Sequence, residues 1–73
     1  MVVPVSYLRL PYLRLWRLRS GLSQEQLAEL AGISRSTVHS AEKGDRDVLP
    51  STLQGLARAL KLKPWQLQRP PAD

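Results

Sequence analysis

Five polar side chains occur between positions 35 and 43 at a spacing that would expose them together on one helix: Arg35, Ser36, His39, Ser40 and Lys43. The guanidinium, the hydroxyls and the imidazole are short or planar hydrogen-bonding groups, which suit the edges of nucleic acid bases. The ammonium group of Lys43 suits a phosphate. These residue types predict a surface that binds nucleic acid.

Catalytic and metal chemistry have little support in the sequence. The chain has no cysteine, and its lone histidine cannot assemble a histidine cluster. No carboxylate–histidine–nucleophile arrangement is apparent around His39. Three interpretations of His39 stay open: a solvated helix-surface residue, a contact to phosphate or base, and a remote catalytic or metal role. We expect no enzyme, no cofactor and no metal site.

Two capped helices joined by a tight turn would position the polar surface. Ser23 is a preferred N-cap residue, and Gln26 three positions later completes a capping box. Gly32 supplies the left-handed residue that ends this helix. Ser34 caps the next helix, and Gly44 ends it. The pattern predicts a helix-turn-helix.

Further helices are predicted on both sides of this motif. Residues 11–20 are ambiguous between strand and helix, and helix is favoured because Pro11 suits a first helical position. Residues 52–60 carry apolar side chains at helical spacing, with Ser51 as their N-cap. Pro64 can begin a last short helix.

The charge of the chain favours a polyanionic partner. The net charge is +5 and the isoelectric point about 10.5, which suits nucleic acid or an anionic membrane. No apolar run approaches the roughly 20 residues needed to span a bilayer. The N-terminus is not typical of a signal peptide, and the lack of cysteine fits a reducing compartment. We expect a cytoplasmic, nucleoid-associated protein.

The run from Leu13 to Leu67 resembles the Xre/Cro/C1-type, lambda-repressor-like helix-turn-helix domains of bacterial and phage repressors. The matching residues are GLSQEQLA at 21–28, AGISRSTV at 31–38, EKG at 42–44, and LARAL at 56–60 followed by Leu62.

This resemblance implies an all-α, five-helix DNA-binding domain over residues 11–69. Outside the resemblance, the Val-rich residues 1–10 with Pro4 indicate an extended N-terminal arm, and residues 70–73 indicate a flexible tail. The implied function is that of a sequence-specific transcriptional regulator, most often a repressor. Such a protein would insert helix 3, about residues 35–43, into the major groove of double-stranded DNA as a dimer.

The resemblance also assigns contacts position by position. The residues that match base or near-base contacts are Ser34, Arg35, Ser36 and Ser40. The candidates for contacts with the DNA backbone are Ser23, Gln24, Lys43, Arg46 and Arg14. Arg35 is the strongest candidate reader because its guanidinium can bind O6 and N7 of guanine together. Asp45 and Asp47 depart from the family pattern, since acidic groups facing DNA would repel phosphates.

A structural ion pair is implied between Arg17 and Glu42. In the resembled family, an arginine at this position forms a partly buried pair with the glutamate that matches Glu42. Bidentate guanidinium–carboxylate geometry could hold helix 1 against the end of helix 3. The alternative is two solvated charges.

An apolar surface is predicted around the arm, which could form an edge strand. Its residues are Val3, Val5, Leu8, Leu15 and Leu18. The leucines of helix 1 lie where the family usually has polar residues. One interpretation is a homodimer interface, and the other is a pair of scattered surface leucines, which are common.

Two other functions stay open. The same domain occurs in antitoxins of toxin–antitoxin pairs, where the apolar arm could hold a toxin protein. Four arginines and no acidic residue lie within residues 1–21, which could favour an anionic membrane surface. DNA is the preferred partner because the helix-turn-helix pattern accounts for most of the chain.

Overall fold

Five α-helices follow one another along the residues that the computed structural model describes, which are 9–44 and 47–72. They are α1 (Leu13–Arg19), α2 (Gln24–Ala31), α3 (Arg35–Lys43), α4 (Pro50–Ala59) and α5 (Pro64–Leu67). The prediction of an all-α, five-helix domain is confirmed. The predicted arm falls largely outside the described residues, as do its members Val3, Val5 and Leu8 and the loop residue Arg46.

The core lies where all five helices meet. The largest fully buried side chains are one from each helix: Leu13, Leu27, Val38, Leu56 and Leu67. Burying a side chain of this size contributes about 1.5–3 kcal/mol relative to leaving it exposed. α2 is central because it packs against both α3 and α4. The core therefore fixes the two helices of the predicted motif relative to each other.

α2 and α4 approach each other closely at a glycine. A Cβ atom at Gly55 would lie 3.1 Å from the carbonyl oxygen of Ala31, which is tighter than ordinary van der Waals contact. This approach accounts for a glycine in the middle of a helix, where it is otherwise unfavourable. Ala28 on α2 is buried as well, so small residues at these crossings let the helices pack.

Local capping defines both helices of the motif, as predicted. The Ser23 hydroxyl accepts from the backbone N–H of Gln26, whose side chain accepts from the Ser23 N–H in return. The Ser34 hydroxyl accepts from the backbone N–H of Thr37 at 3.1 Å. Both helices end at glycines with positive φ, +71° at Gly32 and +78° at Gly44, which side chains disfavour.

Two predicted helix starts are wrong. α1 begins at Leu13 rather than Pro11, because Pro11 and Tyr12 form a turn closed by a hydrogen bond from the Leu13 N–H to the Leu10 carbonyl. α4 begins at Pro50, ahead of the predicted cap at Ser51. Proline lacks an N–H and has a fixed φ, so it suits the first helical position without a side-chain cap.

Contacts from both ends of the described chain reach the helices. Leu10, assigned to the arm from the sequence, is only 2% exposed and belongs to the core. At the other end, the Trp16 indole N–H donates to the Arg69 carbonyl at 2.8 Å. This bond ties α1 to the segment that follows α5.

We expect Ser34→Ala to destabilise the domain by about 1 kcal/mol, because the N–H of Thr37 loses its capping acceptor. The matched control is Ser51→Ala, which removes a hydroxyl that caps no helix and should change stability by less than about 0.5 kcal/mol. Urea unfolding followed by circular dichroism compares the two variants. Equal losses in both would contradict the assignment of the caps.

Candidate nucleic-acid interface

The exposed side of α3 brings together most of the predicted reading residues. Arg35, Ser36 and His39 are exposed and, with Gln24 of α2, line a shallow depression of about 310 Å³. Ser40 is only half-buried on the same helix. Side chains at this spacing share a face because residues three and four apart are neighbours on a helix. α3 therefore presents a donor-rich surface to its surroundings.

Ser34 lies at the start of this surface, and its hydroxyl is already engaged. Besides capping Thr37, the Ser34 Oγ lies 2.7 Å from the Thr37 Oγ1 and 3.3 Å from the Ser36 Oγ. The predicted base contact of Ser34 would compete with these bonds. Its contact with DNA stays a prediction.

A second depression, of about 420 Å³, lies where α1, α2 and α3 meet. Its rim carries Arg14 and Lys43, and Gln24 at the start of α2 lies between them. Ser23 caps α2 immediately before Gln24. The structure thus gathers four of the five predicted backbone-contact residues, and the fifth, Arg46, is outside the described residues. The positive end of the α2 dipole adds to the cationic character of this site.

A buried ion pair lies beneath the depression where α1, α2 and α3 meet. The Nε and Nη2 atoms of Arg17 both donate to the carboxylate of Glu42, with Nη2 3.0 Å from Oε1. The Nη1 atom of Arg17 donates to the Leu22 carbonyl at 2.9 Å. The side chains are 10% and 4% exposed, so the sequence interpretation of two solvated charges is wrong. Hydrogen bonding to Glu42 raises the pKa of the Arg17 guanidinium, against the opposing effect of burial.

Gln24 connects this ion pair to the exposed face of α3. Its Nε2 atom lies 3.1 Å from Oε1 of Glu42 and 3.5 Å from Nδ1 of His39. The contacts show that His39 is the α3 residue it reaches on the exposed face.

Another ion pair was missed by sequence reasoning. Arg9 Nε donates to a carboxylate oxygen of Asp47 at 2.9 Å. The sequence indicated that Asp47 would repel phosphates if it faced DNA, and in the structure its negative charge is paired with the Arg9 guanidinium. No local pattern could reveal the pair, since the two residues are far apart in the sequence.

Two leucines of α1 are exposed, as expected for the predicted dimer surface. Leu15 is 50% and Leu18 53% exposed. Their proposed partners Val3, Val5 and Leu8 are outside the described residues. A homodimer interface here stays a prediction.

Among the helices that the structure describes, none combines the length and apolar character that crossing a bilayer requires. The described histidine, aspartate and glutamate side chains form no group of three that could hold a metal ion.

Known proteins similar to this chain share the same architecture. A profile of the helix-turn-helix family matches residues 13–65. The control protein C.SmaI of Serratia marcescens is 49% identical over 47 residues, which cover 64% of this chain and 56% of that protein. The crystal structure of the restriction-modification controller protein C.AhdI from Aeromonas hydrophila aligns with a TM-score of 0.74 at 45% identity. That match covers 75% of this chain and 83% of C.AhdI.

A third similarity extends further along the chain. A hypothetical transcription factor of Neisseria meningitidis is 34% identical over 61 residues, covering 84% of this chain and 58% of that protein. The crystal structure of the Neisseria factor NHTF aligns with a TM-score of 0.76 at 29% identity, over 96% of this chain and 88% of the other. This chain spans little more than half the length of the two curated relatives it matches.

Proposed function

The chain belongs to the helix-turn-helix family, and from this premise we propose that it is a sequence-specific DNA-binding regulator of transcription. The observation that carries the proposal is the exposed side of α3, where Arg35, Ser36 and His39 lie together. A helix presented in this way fits the major groove of B-DNA, whose width admits one α-helix.

Phosphate contacts would position the domain. The start of α2 offers backbone N–H groups beside Ser23 and Gln24, and a helix N-terminus favours anions. Arg14 and Lys43 lie at the rim of the adjoining depression. These N–H groups and cationic side chains would contact the phosphates on one side of the major groove while α3 lies in the groove. Such contacts supply affinity but carry no sequence information.

Base contacts would supply specificity. Arg35 opens α3 and is exposed, so its guanidinium can reach a guanine edge, where two hydrogen bonds form at once. Ser36 and Ser40 are short and read bases less decisively, and Ser34 is held by its cap. We propose that Arg35 dominates the choice of operator.

A dimer would read two half-sites. One recognition helix contacts few base pairs, and proteins of this type pair across two-fold DNA with half-sites about 34 Å apart or a multiple of that. The exposed leucines of α1, Leu15 and Leu18, are the described part of the proposed dimer surface. Occupying a symmetric operator would repress the adjacent promoter. We propose that the protein acts at the nucleoid in the cytoplasm.

A finer role is favoured by two of the relatives. C.SmaI is called a control protein and C.AhdI a restriction-modification controller protein, and both are 45% or more identical over the aligned helices. We extend this to the present chain as a controller of restriction-modification genes. The antitoxin alternative gains nothing from these relatives, and a toxin partner stays without support.

Selection of bound duplexes from a random DNA pool tests the proposal. We expect a recovered site that outcompetes a scrambled duplex of the same composition, with the log of affinity falling linearly against the log of salt concentration. An inverted repeat with half-sites about one helical turn apart would support the dimer. Recovery of no preferred sequence would overturn sequence-specific binding. A selected site absent from the upstream regions of restriction or modification genes would overturn the controller role alone.

A further inference from the structure

A chain of polar contacts runs from the interior of the domain to the exposed face of α3. It begins at the buried Arg17–Glu42 pair, passes through the Gln24 amide and ends at the His39 imidazole. Each of the three links joins two different helices, since Arg17 lies on α1, Gln24 on α2, and Glu42 and His39 on α3. The exposed histidine is therefore oriented by residues that lie beneath it.

The chemistry of Glu42 sets the direction of every bond in this chain. A carboxylate only accepts hydrogen bonds, so the Gln24 group that lies 3.1 Å from Oε1 must be the NH₂ and not the carbonyl. The Arg17 guanidinium, which only donates, already occupies both carboxylate oxygens and keeps Glu42 in place. The amide of Gln24 is thereby held in one of its two orientations.

The amide orientation in turn selects the tautomer of His39. The same Gln24 Nε2 atom lies 3.5 Å from Nδ1 of His39 and offers its second hydrogen there. Nδ1 must therefore accept, which leaves the ring proton of the neutral imidazole on Nε2. Nε2 lies across the ring from Nδ1, on the edge turned away from Gln24. The exposed edge of His39 is then a hydrogen-bond donor.

We propose that His39 is a further DNA-contact residue that reads only a hydrogen-bond acceptor, and that Gln24 is the positioning residue that fixes this polarity. The proposal rests on the proposed function. His39 lies one turn beyond Arg35 and Ser36 on the same face and lines both depressions of the interface. The acceptor is a phosphate oxygen or an acceptor on a base edge, such as N7 or O6 of guanine or O4 of thymine.

The link between Gln24 and His39 can be tested without DNA. His39 is the single histidine of the chain, so its two ring nitrogens are the only imidazole signals in a ¹⁵N-histidine NMR spectrum. We expect one tautomer, with the proton on Nε2 and none on Nδ1. Gln24→Met keeps the length of the side chain without its donors and should give a mixture of both tautomers. Gln54→Met, on an exposed position of α4, is the matched control.

The same spectra can overturn the link. A wild-type protein with the proton on Nδ1, or the same tautomer mixture in wild type and Gln24→Met, would show that Gln24 does not set the state of His39. This outcome would not depend on whether the chain binds DNA.

The contact with DNA is tested on the duplex recovered by selection. His39→Ala should weaken binding about threefold to tenfold, as expected for the loss of one hydrogen bond. His39→Gln, which can present an NH₂ near the position of Nε2, should retain most of the affinity. In the Gln24→Met background, His39→Ala should cause a clearly smaller loss, because coupled residues are non-additive.

The arms of this experiment separate the possible outcomes. If wild type and His39→Ala bind equally well to a duplex with one phosphate replaced by methylphosphonate, that phosphate is the acceptor. If they bind equally well to a duplex with one guanine replaced by 7-deazaguanine, N7 of that base is the acceptor. A wild-type preference for the selected duplex combined with unchanged binding by His39→Ala would refute the inference and leave the proposed function intact. A wild-type protein without a preferred duplex would refute the proposed function instead.

Discussion

Arg17→Met is expected to destabilise the domain by about 3–5 kcal/mol, because breaking a buried ion pair leaves one charge without its partner. The uncompensated group would be Glu42, whose side chain is 4% exposed and would keep its bond from Gln24. The Leu22 carbonyl would lose its guanidinium donor as well. Small domains are stable by about 0.05–0.15 kcal/mol per residue, so this loss would remove a large share of the total.

The measurement is urea unfolding followed by circular dichroism, with two comparison variants. Arg14→Met removes an exposed arginine from the same helix and should change stability by less than about 0.5 kcal/mol. Arg17→Met combined with Glu42→Leu should recover most of the loss, since an apolar pair of similar volume is often as stable as a buried ion pair. A single variant as stable as wild type, or a double variant less stable than the single one, would contradict this account.

The position of the pair explains why a domain of this size retains buried charges. Arg17 and Glu42 join α1 to the end of α3, and the Arg17 Nη1 bond holds the backbone just before α2 begins. Three helices are therefore held at one point, directly beneath Gln24 and His39. The same carboxylate that stabilises the fold also orients a side chain of the proposed interface.

The sequence predicted those parts of the structure that local chemistry determines. The N-caps at Ser23 and Ser34 and the helix ends at Gly32 and Gly44 depend on bonds within a few residues, and all four are confirmed. The Arg17–Glu42 contact was available only through the family resemblance, because the two residues are 25 positions apart. Spacing alone could not have paired them.

The errors occurred where two local signals compete or where distant residues meet. Pro50 and Ser51 are adjacent signals for a helix start, as a first helical residue and as an N-cap, and the helix begins at the proline. The ion pair between Asp47 and Arg9 was not predicted, because the two residues lie 38 positions apart. The contact of Gln24 with His39 needs the crossing geometry of α2 and α3, which residue types do not specify. Tertiary contacts therefore decided the parts of the interface that could not be predicted.

Arg35→Ala is expected to lower affinity for the selected duplex by about 1–3 kcal/mol, which is roughly a fivefold to 150-fold increase in Kd. Arg35 is exposed at the first position of α3, from which its guanidinium could donate to O6 and N7 of one guanine. Removing both bonds should also relax the preference for guanine at that position. Fluorescence anisotropy titration at fixed salt measures the effect on the selected duplex and on a duplex with that guanine replaced.

Arg35→Lys and Arg14→Ala separate base reading from simple charge. Lysine keeps the positive charge but cannot form the planar bidentate contact, so Arg35→Lys should lose much of the preference for guanine while retaining non-specific binding. Arg14→Ala should weaken binding to all sequences alike and reduce the salt dependence by about one unit of slope. If Arg35→Ala instead weakened binding equally on selected and scrambled duplexes, Arg35 would be a backbone contact. The choice of operator would then have to come from His39 and the serines of α3.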